Sequence, residues 1–85
     1  MSTLTAIAKP KAEARAMDVE VTSETLEVAL TDGRRVSAPL EWFPRLRDAS
    51  EKQRANWRLM GQGIGIHWDD IDEDISVRSL LVAED

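Results

Sequence analysis

From Met17 onward, apolar side chains fall on every second position: Met17, Val19 and Val21, then Leu26, Val28 and Leu30, then Val36 and Ala38. A period of two turns one face of an extended strand to a core and the other to water, so this stretch predicts three consecutive strands. Turn chemistry sets their register. With Thr31, Asp32 and Gly33 as a three-residue loop and Gly33 in the left-handed region, Val28 pairs with Val36 and Leu26 with Ala38. A two-residue Asp-Gly turn would instead set Leu30 against Arg35 and mix the faces. With Ser23 and Glu24 as the first loop, Val21 pairs with Leu26 and Val19 with Val28. Every pairing keeps the apolar side chains together, so an antiparallel meander is expected.

The period then changes. Pro39 and Pro44 bracket the aromatic segment Pro39-Leu40-Glu41-Trp42-Phe43-Pro44-Arg45-Leu46. Pro44 suits the first position of a short helix, with Leu46 and Ala49 facing inward. Ser50 and Gln53 have capping-box spacing, which predicts a second short helix from Glu51 to about Ala55. Asn56-Trp57-Arg58-Leu59-Met60 could extend that helix or begin a strand. The alternation of Trp57 and Leu59, then of Ile64, Ile66 and Trp68 beyond the glycines, favours a second hairpin. Ile71, Ile75, Val77, Leu80 and Leu81 give the tail an apolar side that docks on the sheet, closing with a helical turn after Ser76. The expected fold is α+β, in the order β-β-β-α-β-β with a short C-terminal helical turn. Residues 1–16, small, polar and broken by Pro10, read as a flexible N-terminal arm, and residues 17–85 as a single α+β domain.

Composition narrows the chemistry. An 85-residue chain has room for one core. It has no cysteine and one histidine, which excludes disulfides, thiolate zinc sites, iron–sulfur clusters and thiol nucleophiles. No apolar run approaches the roughly 20 residues of a membrane span, and the start lacks the apolar core of a signal peptide, so a soluble cytoplasmic protein is expected.

The acidic run Asp69, Asp70, Asp72, Glu73 and Asp74 copies the first positions of a calcium loop. The copy fails where Ile75 replaces the turn glycine and Leu81 the bidentate glutamate, so a solvated loop is the simpler reading. His67, facing away from Ile66 and Trp68, is a candidate general base beside that run, but no nucleophile, second histidine or phosphate loop accompanies it. The glycines at 61, 63 and 65 match neither phosphate-loop pattern and read as a hairpin loop. No cofactor is called for, and a ligand- or metal-binding or hydrolytic role through His67 and the acidic run is the alternative to a non-enzymatic one.

Charge is uneven along the chain. Residues 34–58 hold seven basic groups (Arg34, Arg35, Arg45, Arg47, Lys52, Arg54, Arg58) against three acidic ones, and residues 69–85 hold seven acids against Arg78. A basic middle can meet nucleic acid through phosphates, and this is a second alternative. The formal net charge of -5 opposes it, and the chain's own acids are the nearest partners. Trp42, Phe43, Trp57 and Trp68 are first of all core candidates; where exposed, such rings mark an interface. A small core without disulfides also makes self-association plausible. Trp42, Phe43, Arg45, Arg54, Trp57, His67 and Trp68 are therefore the candidate partner-binding residues.

Five segments in order carry a family resemblance: Leu30-Thr31-Asp32-Gly33-Arg34, the Pro39–Leu46 segment, Arg54-Ala55-Asn56-Trp57, Gly63-Ile64-Gly65-Ile66-His67-Trp68 and Asp72-Glu73-Asp74-Ile75-Ser76-Val77. From about Met17 to Val82 the chain resembles the bacterial family of domain of unknown function 2442. The resemblance implies a small α+β domain and supplies no catalytic residue. Some members of that family resemble antitoxin-like halves of two-gene modules, and some carry an appended helix-turn-helix. With no such appendage within the 85 residues, the resemblance implies binding of a small protein partner rather than of an operator. The expectation is a protein-interaction module, not an enzyme.

Overall fold

The structure, a computed structural model, describes residues 14–83. The expected arm lies almost wholly outside them. Three strands open the domain: β1 (Ala16–Val21), β2 (Thr25–Leu30) and β3 (Arg35–Pro39), forming one antiparallel sheet in that order. The pairs Val21↔Leu26, Val19↔Val28, Val28↔Val36 and Leu26↔Ala38 are those the pattern predicts. Gly33 has φ +93° and donates its N–H to the Leu30 carbonyl at 3.1 Å, and Asp32 Oδ1 accepts from the Arg34 N–H. The side chain of Asp32 thus stands in for a backbone acceptor, which is why aspartate suits this turn.

Met17 departs from the expected apolar face. The register shifts between Ala16 and Asp18, so Met17 is the extra residue of a bulge and is 59% exposed. Ala16 takes the inward place and is buried. Above it sits Gly63, with φ +103°; a Cβ there would stand 2.5 Å from the Ala16 carbonyl oxygen. A bulge re-aims side chains by inserting one unpaired residue, and here it puts the smallest one under a tight backbone contact.

A 3₁₀ turn (Leu40–Trp42) leads into α1 (Pro44–Arg47) and α2 (Glu51–Ala55). Pro44 lies in the first turn of α1, and Leu46 is fully buried. Ser50 Oγ accepts the Gln53 N–H while Gln53 Oε1 accepts the Ser50 N–H, completing the predicted capping box. Residues 57–60 are strand: β4 (Trp57–Met60) pairs with β5 (Gly65–Trp68), as the second hairpin requires. A sixth strand, β6 (Glu73–Ser76), pairs with β5 and makes a second three-stranded antiparallel sheet, and α3 (Val77–Ala83) follows it. Periodicity does not reveal β6, because in four residues only Ile75 is buried.

One core serves both sheets. Leu26, Val28, Leu30 and Val36 of the first sheet, Ile66, Trp68 and Ile75 of the second, and Leu40, Leu46, Val77 and Leu80 from turns and helices form one buried cluster. Each such side chain contributes about 1.5–3 kcal/mol on burial, so neither sheet would be stable alone. No helix among the described residues is long and apolar enough to cross a membrane.

Candidate functional site

The four large rings divide among core, rim and surface. Trp68 is fully buried, its Nε1–H donating to the Arg54 carbonyl at 3.0 Å. It belongs to the scaffold, which removes it from the candidate docking residues. Phe43 and Trp57 are half-buried against the core, and Trp42 is 52% exposed. The turn that carries Trp42 is held from both sides by buried Leu40 and Leu46, and the Leu40 N–H donates to the Glu24 carbonyl at 2.9 Å. The ring is therefore presented on fixed backbone.

The arginines of the basic middle are mostly engaged within the fold. Arg54 donates from Nε to the Leu46 carbonyl and from Nη2 to the Arg47 carbonyl, closing the end of α1, so it too is a structural rather than a docking residue. Arg45 Nη1 donates to the Asp72 carbonyl, and Arg47 pairs with Asp48 and Glu41. Arg58 forms a two-point contact with Asp69, at 3.1 and 3.2 Å. Its hydrogen bonds lower the Asp69 pKa more than partial desolvation raises it, and the charges of Arg58 and His67 act in the same direction.

The acidic run is a turn tied down from the middle segment. Asp69 is held by Arg58, Asp70 Oδ2 accepts from Asn56 Nδ2 at 3.0 Å, and the Asp72 carbonyl takes Arg45. Asp72 has φ +53°, a left-handed conformation that aspartate tolerates better than most residues. The carboxylates of Asp69 and Asp70 are held by different side chains and Asp72 is held through its main chain, and among the described residues no three His, Asp or Glu side chains converge as a metal set.

His67 lies on the outer face of the second sheet, paired across the strands with Arg58 on β4 and Asp74 on β6. Its Nε2 is 3.0 Å from Asp69 Oδ1 and its Nδ1 is 3.7 Å from Asp74 Oδ1. The structure thus joins His67 to two members of the acidic run, leaving Trp42 and Phe43 in a separate segment between β3 and α1, with Arg45 in the first turn of α1 reaching the Asp72 carbonyl.

A groove of about 320 Å³ lies between β1 and α2, lined by Val19–Ser23 on one side and Glu51, Arg54, Ala55 and Trp57 on the other. Sequence reasoning named Trp57 and Arg54 and missed the β1 wall. The available signal was topological: the first strand of a three-stranded meander is necessarily an edge unless another segment covers it.

These features define a small α+β domain of two antiparallel three-stranded sheets, with an exposed indole on a rigid turn and a groove between β1 and α2. Its segments match, over residues 16–85, the family described as protein of unknown function (DUF2442), and the chain belongs to that family. It is also similar to a solved structure, the crystal structure of a protein of unknown function from Rhodospirillum rubrum. The two are 30% identical with a TM-score of 0.71, over 84% of this chain and 88% of that one. No curated protein matches the chain.

Proposed function

We propose that this domain is a non-enzymatic protein-interaction module, the antitoxin-like member of a two-gene bacterial pair, acting in the cytoplasm on a small protein partner. The observation that carries this reading is Trp42, a large ring left 52% exposed on a turn anchored by buried leucines. An indole held in place pays little conformational entropy on docking, and such rings dominate the energy of many interfaces. Half-buried Phe43 and exposed Arg45 flank it in the same segment. Co-expression with the product of the neighbouring gene, followed by purification through one partner, tests the idea. A complex that Trp42→Ala abolishes supports it; a chain that stays alone with every neighbouring product at micromolar concentration refutes it.

A second reading draws on the placement of His67 between Asp69 and Asp74. It makes that outer face a ligand or cation site, with His67 as proton acceptor. Thermal shifts with Mg²⁺, Ca²⁺ and nucleotides separate it from the first, since a ligand at 100 times its Kd adds about 2.7 kcal/mol. Nucleic-acid binding is disfavoured by the internal engagement of Arg45, Arg47, Arg54 and Arg58.

A further inference from the structure

Among the described residues four large apolar side chains are exposed, and three of them, Met17, Met60 and Ile64, gather at the end of the first sheet away from Trp42. Met60 and Ile64 flank the turn Gly61–Gly63, and Met17 follows Ala16, whose carbonyl lies under Gly63. Trp42 follows Pro39, which pairs with Thr25 at the opposite end of the strands. The turn that presents Ile64 is fixed. Gln62 has φ +62°, a left-handed conformation uncommon outside glycine, and its Oε1 accepts from Arg15 Nη1 at 2.9 Å. The Ile64 carbonyl accepts the Val77 N–H at 3.0 Å, which ties the turn to the start of α3.

A second groove, of about 460 Å³, lies between this turn, α3 and the loop that joins β2 to β3. Ala14, Ile64, Val77 and Leu81 give it apolar walls, and Arg34 and Arg78 are its charged lining. No acid lines it among the described residues. Arg34 gives its Nε–H to Asp32 Oδ2 at 2.8 Å, which steadies the side chain and leaves both Nη groups. Exposed Arg78 meets no carboxylate among the described residues, and Arg15, next to Ala14, spends one Nη on the neutral Gln62. The groove and its rim are therefore basic on a chain of formal net charge -5. We propose that this groove binds a segment of a partner protein in which leucine-like side chains are flanked by Glu or Asp. Apolar side chains enter between Ile64 and Leu81, and the carboxylates reach Arg34 and Arg78. Arginine beside an apolar pocket is a frequent centre of binding energy. A membrane is the poorer occupant, because the net negative charge is repelled by anionic headgroups. A second copy packed through the same groove sets arginines against arginines, and like charges in contact are disfavoured.

The proposal does not depend on Trp42, and its test uses different variants. Titration of the full chain with a short synthetic peptide of Leu and Glu, followed by calorimetry, is expected to show binding that weakens as salt is added. A Leu and Lys peptide, and an Ala and Glu peptide, should each bind about tenfold more weakly or not at all. Arg78→Glu should weaken the Leu and Glu peptide by about tenfold. Should that variant fail to fold, Arg34→Gln should produce a loss in the same direction. No binding at millimolar peptide overturns the proposal. So does equal binding of the Leu and Lys peptide, or an affinity that Arg78→Glu leaves unchanged. Tighter binding to vesicles of anionic lipid than to the peptide would assign the groove to a lipid surface and overturn it. A dimer in sedimentation that Arg78→Glu dissociates would assign it to a second copy and equally overturn it.

Discussion

The indole Nε1–H of Trp68 donates to the main-chain carbonyl of Arg54 across 3.0 Å, joining the buried side of the second sheet to the end of α2. A buried indole keeps its polar atom satisfied this way, and the carbonyl gains a partner at a helix terminus. Trp68→Phe removes the donor and leaves a small void. It should lower stability by about 1–3 kcal/mol, read from the urea midpoint at unchanged slope. A variant as stable as the parent would show that the bond contributes nothing.

Gly63 and Gly33 both have positive φ, +103° and +93°, but only Gly63 meets a neighbour. Gly33→Ala should cost about 1 kcal/mol, from backbone strain alone. Gly63→Ala should cost clearly more, because its Cβ meets the Ala16 carbonyl and the bulge in β1 must shift. Thermal unfolding of the two variants side by side checks the order.

The capping box gives a local test. Ser50→Ala exposes the Gln53 N–H and should destabilise by about 1 kcal/mol. Ser50→Gly should lose only a few tenths, since glycine is itself an acceptable cap. Denaturant unfolding of the pair separates the cap from a general effect of mutation at this site.

Acid should weaken the fold through carboxylates whose pKa values are lowered in the folded state. Hydrogen bonds from Arg58 lower Asp69, those from Arg47 lower Asp48, the Arg34 backbone N–H lowers Asp32, and the hydroxyls of Thr25 and Ser37 lower Glu27. A lowered pKa means that the folded chain binds these protons less readily than the unfolded one. The stabilisation is therefore complete above the ordinary carboxylate range and is lost from about pH 4 downward. Urea midpoints measured across that range should fall, and Asp69→Asn should make the fall shallower. Because all four groups are solvent-accessible, added salt should reduce the effect.

Trp42→Ala should leave stability within about 0.5 kcal/mol of the parent, as expected for an exposed side chain away from caps and networks. Circular dichroism during heating checks this. A large loss would make the ring part of the scaffold and deprive the docking role of its main support.

What the amino-acid order determines by itself is whatever neighbours within a few residues decide. The registers of the first two hairpins follow from a period of two joined to Asp32-Gly33 and Ser23-Glu24, and the start of α2 from Ser50 and Gln53. Alternation also separates His67 from Ile66 and Trp68. Tertiary packing decided the rest, because burial of a ring or pairing of a carboxylate depends on segments far away along the chain. Trp42 and Trp68 look alike in sequence, yet one lies outside and the other beneath α2. The acidic run resembles an ion loop until Arg45, Asn56 and Arg58 arrive from the middle segment to hold it. Met17 keeps the strand period and still faces water, because the approach of Gly63 over Ala16 goes with a bulge that no local pattern encodes.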